Sequence, residues 1–137
     1  MKKDNVTKEL SDAVEALLFT IKEFYKTLNG HVTEQSELLK IYYLFATKLI
    51  DHIQAIDSIS LTIGEQIQTA DRQNQANKIT RLGADLDASV TIRRLCEEFL
   101  SNAERDIEVK QMELTRLKGY VELFSRKLLM CKESLSS

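Results

Sequence analysis

The stretch of residues 41–50 constrains the fold more than any other part of this chain. It reads Ile-Tyr-Tyr-Leu-Phe-Ala-Thr-Lys-Leu-Ile, which is apolar nearly all the way around a helix. A helix on a protein surface usually carries a single apolar stripe about 100° wide. A helix with apolar residues on most sides needs cover from more than one direction. We therefore expect this stretch to lie between two other helices.

The composition favours long helices and no strands. The 137 residues include no proline, no tryptophan and four glycines, and the chain is rich in the good helix formers Leu, Glu, Lys, Ala and Gln. At this length, residues 1–137 are expected to form a single helical domain.

The first helix is expected over residues 5–29. Its apolar positions recur in alternating steps of four and three, which is the spacing of a heptad seam. These positions are Leu10, Val14, Leu17, Ile21, Phe24 and Leu28. Gly30 follows and can adopt the left-handed conformation that ends a helix.

The second and third helices are expected over residues 33–82 and 85–134. Gly83 can end the second helix, and Asp85 and Asp87 can cap and charge the start of the third. Apolar seam positions then continue through the third helix almost to the end of the chain. We therefore predict that the chain reverses direction at Gly83.

These boundaries predict an elongated antiparallel hairpin. Each of its two helices has about fifty residues, or roughly 75 Å at 1.5 Å per residue, and the shorter N-terminal helix packs on the half of the hairpin away from Gly83. The alternative is a compact four-helix bundle, in which the long helices break near residues 71–77 or Gly64, and again near Val109.

Several classes of function are not expected. The formal net charge of −2 comes from 19 basic and 21 acidic residues mixed along the chain, which does not supply the basic face that a nucleic-acid-binding protein needs. No apolar run approaches the roughly 20 residues of a membrane span, so no membrane partner is expected. The two cysteines, Cys96 and Cys131, do not form a disulfide framework, and a cytoplasmic location with reduced thiols is expected.

The sequence also gives no pattern for chemistry. Of the two histidines, His31 adjoins the turn after Gly30, and His52 lacks a carboxylate at the Glu-x-x-His spacing of metal sites in helical bundles. There is no glycine-rich phosphate loop and no Ser-His-Asp order. We therefore expect no catalytic residues, no metal, no cofactor and no enzymatic activity.

A protein partner is the remaining expectation. Helix one cannot cover the half of the predicted hairpin nearest Gly83, and apolar residues without cover mark contact sites. The predicted partner-binding residues in this half are Ile67, Ile92, Leu95 and Phe99. The alternative is that long side chains such as Arg94 and Lys110 shield them.

The predicted function is a non-enzymatic helical interaction or scaffold protein. In this hypothesis the chain is a subunit of a homodimer or of a larger coiled-coil assembly, and it contacts itself or another protein through helix–helix packing. The alternative is an adaptor or chaperone that binds an amphipathic helix of a client protein.

Overall fold

The computed structural model of the protein describes residues 6–30, 34–108 and 112–135. Over these residues it consists of four α-helices and no strands, which confirms the all-helical prediction. The helices are α1 (Val6–Leu28), α2 (Gln35–Arg72), α3 (Ala76–Glu108) and α4 (Leu114–Ser134).

The four helices pack as an up-down-up-down bundle. Each helix packs against the next one in the chain, and α4 also packs against α1, which closes the bundle. The α1 helix therefore lies diagonal to α3, and α2 lies diagonal to α4. Neighbouring helices in such a bundle are antiparallel and bury their seam residues together.

The chain reverses direction at residues 73–75, not at Gly83. Asn74 has a φ of 56°, and the backbone N–H of Gln75 donates to the carbonyl oxygen of Ala70 at 2.9 Å. A left-handed residue followed by this hydrogen bond is a Schellman motif, and asparagine can take the place of glycine in it. Gly83 instead lies inside α3. The predicted helix of residues 33–82 therefore ends ten residues early, at Arg72.

The third predicted helix, residues 85–134, is also interrupted. The structure has α3 ending at Glu108 and α4 beginning at Leu114, and Val109 lies outside the described residues. The elongated hairpin of two uninterrupted fifty-residue helices is therefore not confirmed. The four helices and their packing agree with the alternative, the compact four-helix bundle.

The core follows the predicted seam in α1 and runs across all four helices. All six predicted seam residues of α1 are buried. One phenylalanine from each helix meets at the centre of the core, namely Phe24, Phe45, Phe99 and Phe124. These rings lie in the half of the bundle that α4 covers.

The other half of the bundle has only three helices. The α4 helix is shorter than α2 and α3, so it stops before the start of α1, the end of α2 and the start of α3. A small separate cluster of Val6, Ile63 and Leu82 is buried there. Beside it the carboxylate of Asp85, which is 1% exposed, accepts a hydrogen bond from the hydroxyl of Thr7. Asp85 therefore stabilises α1 against α3 and does not cap a helix.

The apolar stretch of residues 41–50 is covered on only one face. Tyr42, Phe45 and Leu49 are buried, whereas Tyr43 and Ile50 remain about half exposed. The buried residues contact α1 and α3, as the bundle requires. No other described residue covers the outward side of this stretch, where Tyr43 and Ile50 lie.

Candidate functional site: the α1–α4 groove

The predicted partner-binding residues do not form a surface. Ile92, Leu95 and Phe99 are buried inside the bundle, and Ile67 is partly buried against the cluster of Val6, Ile63 and Leu82. The physical reason is the second chain reversal, between α3 and α4, which brings α4 back over α3. The ring of Phe99 stacks on Phe124 of α4, so the chain itself covers the face that was expected to need a partner.

A large open concavity lies elsewhere, between α1 and α4. We call it the α1–α4 groove. It encloses about 770 Å³, within the range of about 300–1,000 Å³ that is typical of ligand sites. Its residues are Leu18, Ile21, Lys22, Tyr25, Lys26 and Asn29 from α1, and Val121, Glu122, Ser125, Arg126 and Leu129 from α4.

The floor of the groove is apolar because α1 and α4 both present apolar side chains to it. Ile21 and Val121 are buried at its base. Leu18 and Tyr25, one heptad apart, form the α1 wall, and Leu129 forms part of the α4 wall. A helix places residues seven apart on the same face, so the α1 wall is a continuous strip.

The rim of the groove is basic. Lys22, Lys26 and Arg126 are exposed beside the apolar floor, and none of them forms an ion pair with another described residue. The one acidic side chain in the groove is Glu122. The rim therefore carries an excess of positive charge, although the chain as a whole is slightly acidic.

Glu122 is already engaged within the groove. The hydroxyl of Tyr25 donates a hydrogen bond of 2.9 Å to its Oε1. This hydrogen bond raises the pKa of Tyr25 above its ordinary value. The contact fixes the tyrosine ring across the groove and uses one of the acceptor oxygens of Glu122.

An apolar floor with a basic rim can bind an amphipathic helix. The apolar face of such a helix would lie on the floor, and acidic residues on its flanks would meet the lysines and the arginine. On α1 the groove runs from Leu18 to Asn29, or about 16 Å at 1.5 Å per residue. That length matches about three turns of a bound helix.

The sequence shows one wall of this groove, the α1 wall, but not the other. Leu18, Lys22, Tyr25 and Lys26 recur at helical spacing beside the α1 seam, which marks a mixed apolar and basic strip. The sequence does not show that α4 folds back to face this strip. Without the reversal between α3 and α4, the strip has no opposite wall and no groove can be inferred.

The histidines and cysteines do not assemble into a reactive site in the described residues. Nε2 of His52 lies 2.8 Å from Oγ1 of Thr20, and burial lowers the pKa of His52. Cys96 is buried, which raises the pKa of its thiol to about 12, and partial burial also raises the pKa of Cys131. Both thiols are therefore protonated at neutral pH and are poor nucleophiles. His31 lies outside the described residues.

The described residues also contain no metal-binding cluster and no membrane-spanning helix. In residues 6–30, 34–108 and 112–135, no group of three or more His, Cys, Asp and Glu side chains is arranged to hold a metal ion. None of the helices in these ranges combines the length and the apolar character of a membrane span.

Comparisons with known proteins give no relative. No protein-family model, no curated protein and no solved structure matches this chain.

Proposed function

We propose that the chain is a non-enzymatic helical interaction protein that holds an amphipathic helix of a partner protein in the α1–α4 groove. This is the adaptor function given as the alternative in the sequence analysis. The observation that carries the proposal is the open apolar floor bordered by Lys22, Lys26 and Arg126, none of which has an ionic partner among the described residues.

The charges on the rim define the chemistry of the partner. Its helix carries apolar residues at i, i+3 or i+4, and i+7, which rest on Leu18, Tyr25 and Leu129. It carries glutamate or aspartate on the flanks, where the carboxylates lie near the basic rim. Cations on a rim mainly steer encounter and set specificity, and the apolar floor supplies most of the affinity.

Binding can be tested with a designed helical peptide and the full chain. The probe is a fluorescein-labelled peptide of about fourteen residues, or four helical turns, with leucines along one face and glutamates on both flanks. Fluorescence anisotropy should show saturable binding that weakens as salt is added, because salt screens the charges on the rim. The same peptide with lysine in place of glutamate should bind at least about tenfold more weakly.

Two leucines of α4 provide a matched pair of variants for the floor. Leu129 is 45% exposed and lies in the groove, whereas Leu123 is 47% exposed and lies on the flank of α4 that faces α3. Leu129→Asp should weaken peptide binding at least about tenfold, since it places a charge on the apolar floor. Leu123→Asp should leave binding unchanged. Equal effects of the two substitutions would place the peptide outside the groove.

Arg126 and Lys127 provide a matched pair of variants that tests whether the positive charge of the rim contributes to binding. Arg126 lines the groove, and Lys127 lines the opposite flank of α4. Arg126→Glu should weaken binding of the glutamate peptide and strengthen binding of the lysine peptide, and Lys127→Glu should do neither. If the glutamate and lysine peptides bind equally well to the unaltered chain, the charge argument fails.

The scaffold function, in which the chain is a subunit of a homodimer, depends on a different surface, the exposed side of α2. The cytoplasmic location remains a prediction.

A further inference from the structure

The outward side of α2 carries an ordered row of exposed side chains. We call it the outer α2 face. Its residues follow one another in helical steps of three and four: Lys40, Tyr43, Thr47, Ile50, Gln54, Ser58, Leu61 and Glu65. All eight are exposed, and Leu61 is 72% exposed. None of the other three described helices covers this row, because it points away from the core.

Two copies of the outer α2 face complement each other when their α2 helices pack antiparallel. A two-fold axis through α2 near His52 places Lys40 opposite Glu65 of a second copy and Tyr43 opposite Leu61. The same axis places Thr47 opposite Ser58 and Ile50 beside Gln54. Three of the four pairs are therefore complementary: Lys40 meets an opposite charge, Tyr43 an apolar side chain and Thr47 another hydroxyl. The fourth pair, Ile50 beside Gln54, is a mixed contact.

We propose that a second copy of this chain docks antiparallel on the outer α2 face and forms a symmetric dimer. In a two-fold interface each contact is made twice, so the dimer has two Lys40–Glu65 pairs and two Tyr43–Leu61 contacts. From Lys40 to Glu65 the face extends over about 38 Å of helix at 1.5 Å per residue. Tyrosine is suited to such a contact, since it buries a large ring and keeps a polar tip at the edge.

Three observations favour a second copy over another occupant. Neither Lys40 nor Glu65 forms an ion pair with a described residue of its own chain, so both are available. They lie at opposite ends of the face, and an antiparallel copy brings them together, whereas a parallel copy would place lysine beside lysine. Tyr43 and Ile50 also form the outward side of the apolar stretch of residues 41–50, and this side stays about half exposed among the described residues.

This dimer is independent of the proposed peptide site. The α2 helix contributes no residue to the α1–α4 groove and lies diagonal to α4. A variant of the outer α2 face should therefore change the association of the chain without changing peptide binding, and a groove variant should do the reverse. The failure of one proposal can thus be distinguished from the failure of the other.

The dimer can be tested by analytical ultracentrifugation of the full chain over a range of concentrations. The unaltered chain should sediment as a monomer–dimer equilibrium. Leu61→Glu should weaken dimerisation at least about tenfold. Phe19→Glu is the control, because Phe19 is 64% exposed on the outward side of α1, and it should have no effect. A chain that is monomeric at every concentration, or a dimer that survives Leu61→Glu, would overturn the proposal.

Charge reversal tests the antiparallel register itself. Lys40→Glu alone and Glu65→Lys alone should each weaken dimerisation about tenfold, because each change replaces two attractions by two repulsions. The double variant Lys40→Glu/Glu65→Lys should recover the affinity of the unaltered chain, since the reversed charges again face each other. If the double variant is weaker than both single variants, Lys40 and Glu65 do not meet across the interface and the proposed arrangement is wrong.

Discussion

The rings of Phe24 and Phe45 lie face to face, with their centroids 4.0 Å apart and an angle of 3° between their planes. Phe45 also meets the ring of Phe99 edge to face at 5.5 Å, and Phe99 stacks on Phe124 at 5.2 Å. This chain of rings takes one residue from each helix. A single side chain on α2, Phe45, therefore contacts both α1 and α3.

The position of Phe45 leads to a stability prediction. Phe45→Ala should lower the free energy of unfolding by about 3–5 kcal/mol, because it leaves a cavity between α1 and α3 and removes two aromatic contacts. Urea denaturation followed by circular dichroism measures this loss. Phe19→Ala is the matched control and should be nearly neutral. Similar losses at the two positions would mean that Phe45 is not buried in the folded protein.

The contact between Thr7 and Asp85 gives a second prediction. Valine has nearly the same shape as threonine but cannot donate a hydrogen bond, so Thr7→Val leaves the buried carboxylate of Asp85 without this donor. The free energy of unfolding should fall by about 1–3 kcal/mol, the usual cost of an unsatisfied buried polar group.

A second threonine serves as the control for this experiment. The hydroxyl of Thr80 donates only to the carbonyl oxygen of Ala76, in the exposed part of its own helix. Thr80→Val should change the free energy of unfolding much less than Thr7→Val in the same urea titration. If Thr7→Val is neutral, Asp85 does not depend on this hydrogen bond.

The environment of His52 predicts a pH dependence. Burial lowers the pKa of His52 below its ordinary value of 6.5, and the negative charge of Asp51 only partly opposes this shift. The unfolded chain therefore binds a proton at His52 more readily than the folded chain does. The contribution of His52 to stability is complete above a pH of about 6.5 and is lost as the pH falls toward the lower pKa of the folded state.

Thermal unfolding at several pH values checks this prediction. Between about pH 7.5 and about pH 5.5, which spans the ordinary pKa of histidine, the unaltered chain should lose more stability than the variant His52→Gln. Glutamine cannot take up a proton but can still hydrogen-bond to Thr20. The slopes against pH are compared, not the absolute stabilities. Identical slopes would mean that His52 has the same pKa in the folded and unfolded chains.

The helices and much of the core could be predicted from the sequence, but the chain reversals could not. The second reversal leaves the apolar periodicity unchanged: Ala103 in α3 and Leu117 in α4 are both buried and lie two full heptads apart. When the heptad spacing of the apolar residues continues unchanged across a turn, the sequence pattern is the same as that of one continuous helix. The first reversal was misplaced because Gly83 is the stronger helix terminator by residue type, although Asn74 is the residue that adopts the left-handed conformation.

The positions of the two reversals also explain why three of the predicted partner-binding residues, Ile92, Leu95 and Phe99, are buried within the chain. A reversal at Gly83 and one continuous third helix would leave Ile92, Leu95 and Phe99 without cover. The observed reversals instead bring α2 and α4 to this face, and Phe99 contacts Phe45 of α2 and Phe124 of α4. Once α4 folds back, these residues become core. The basic and apolar strip of α1, which includes Lys22 and Tyr25, then acquires an opposite wall and becomes one side of the α1–α4 groove.

The diagonal placement of α2 and α4 has a consequence for how a dimer would meet its partners. Two chains joined through α2 carry their grooves on the outer sides of the pair, turned away from each other. Such a dimer is poorly placed to clasp two adjacent helices of one compact partner and gain avidity from both. It is well placed to bridge two separate partners, so the paired chains would act as a crosslinker with one client helix bound at each end.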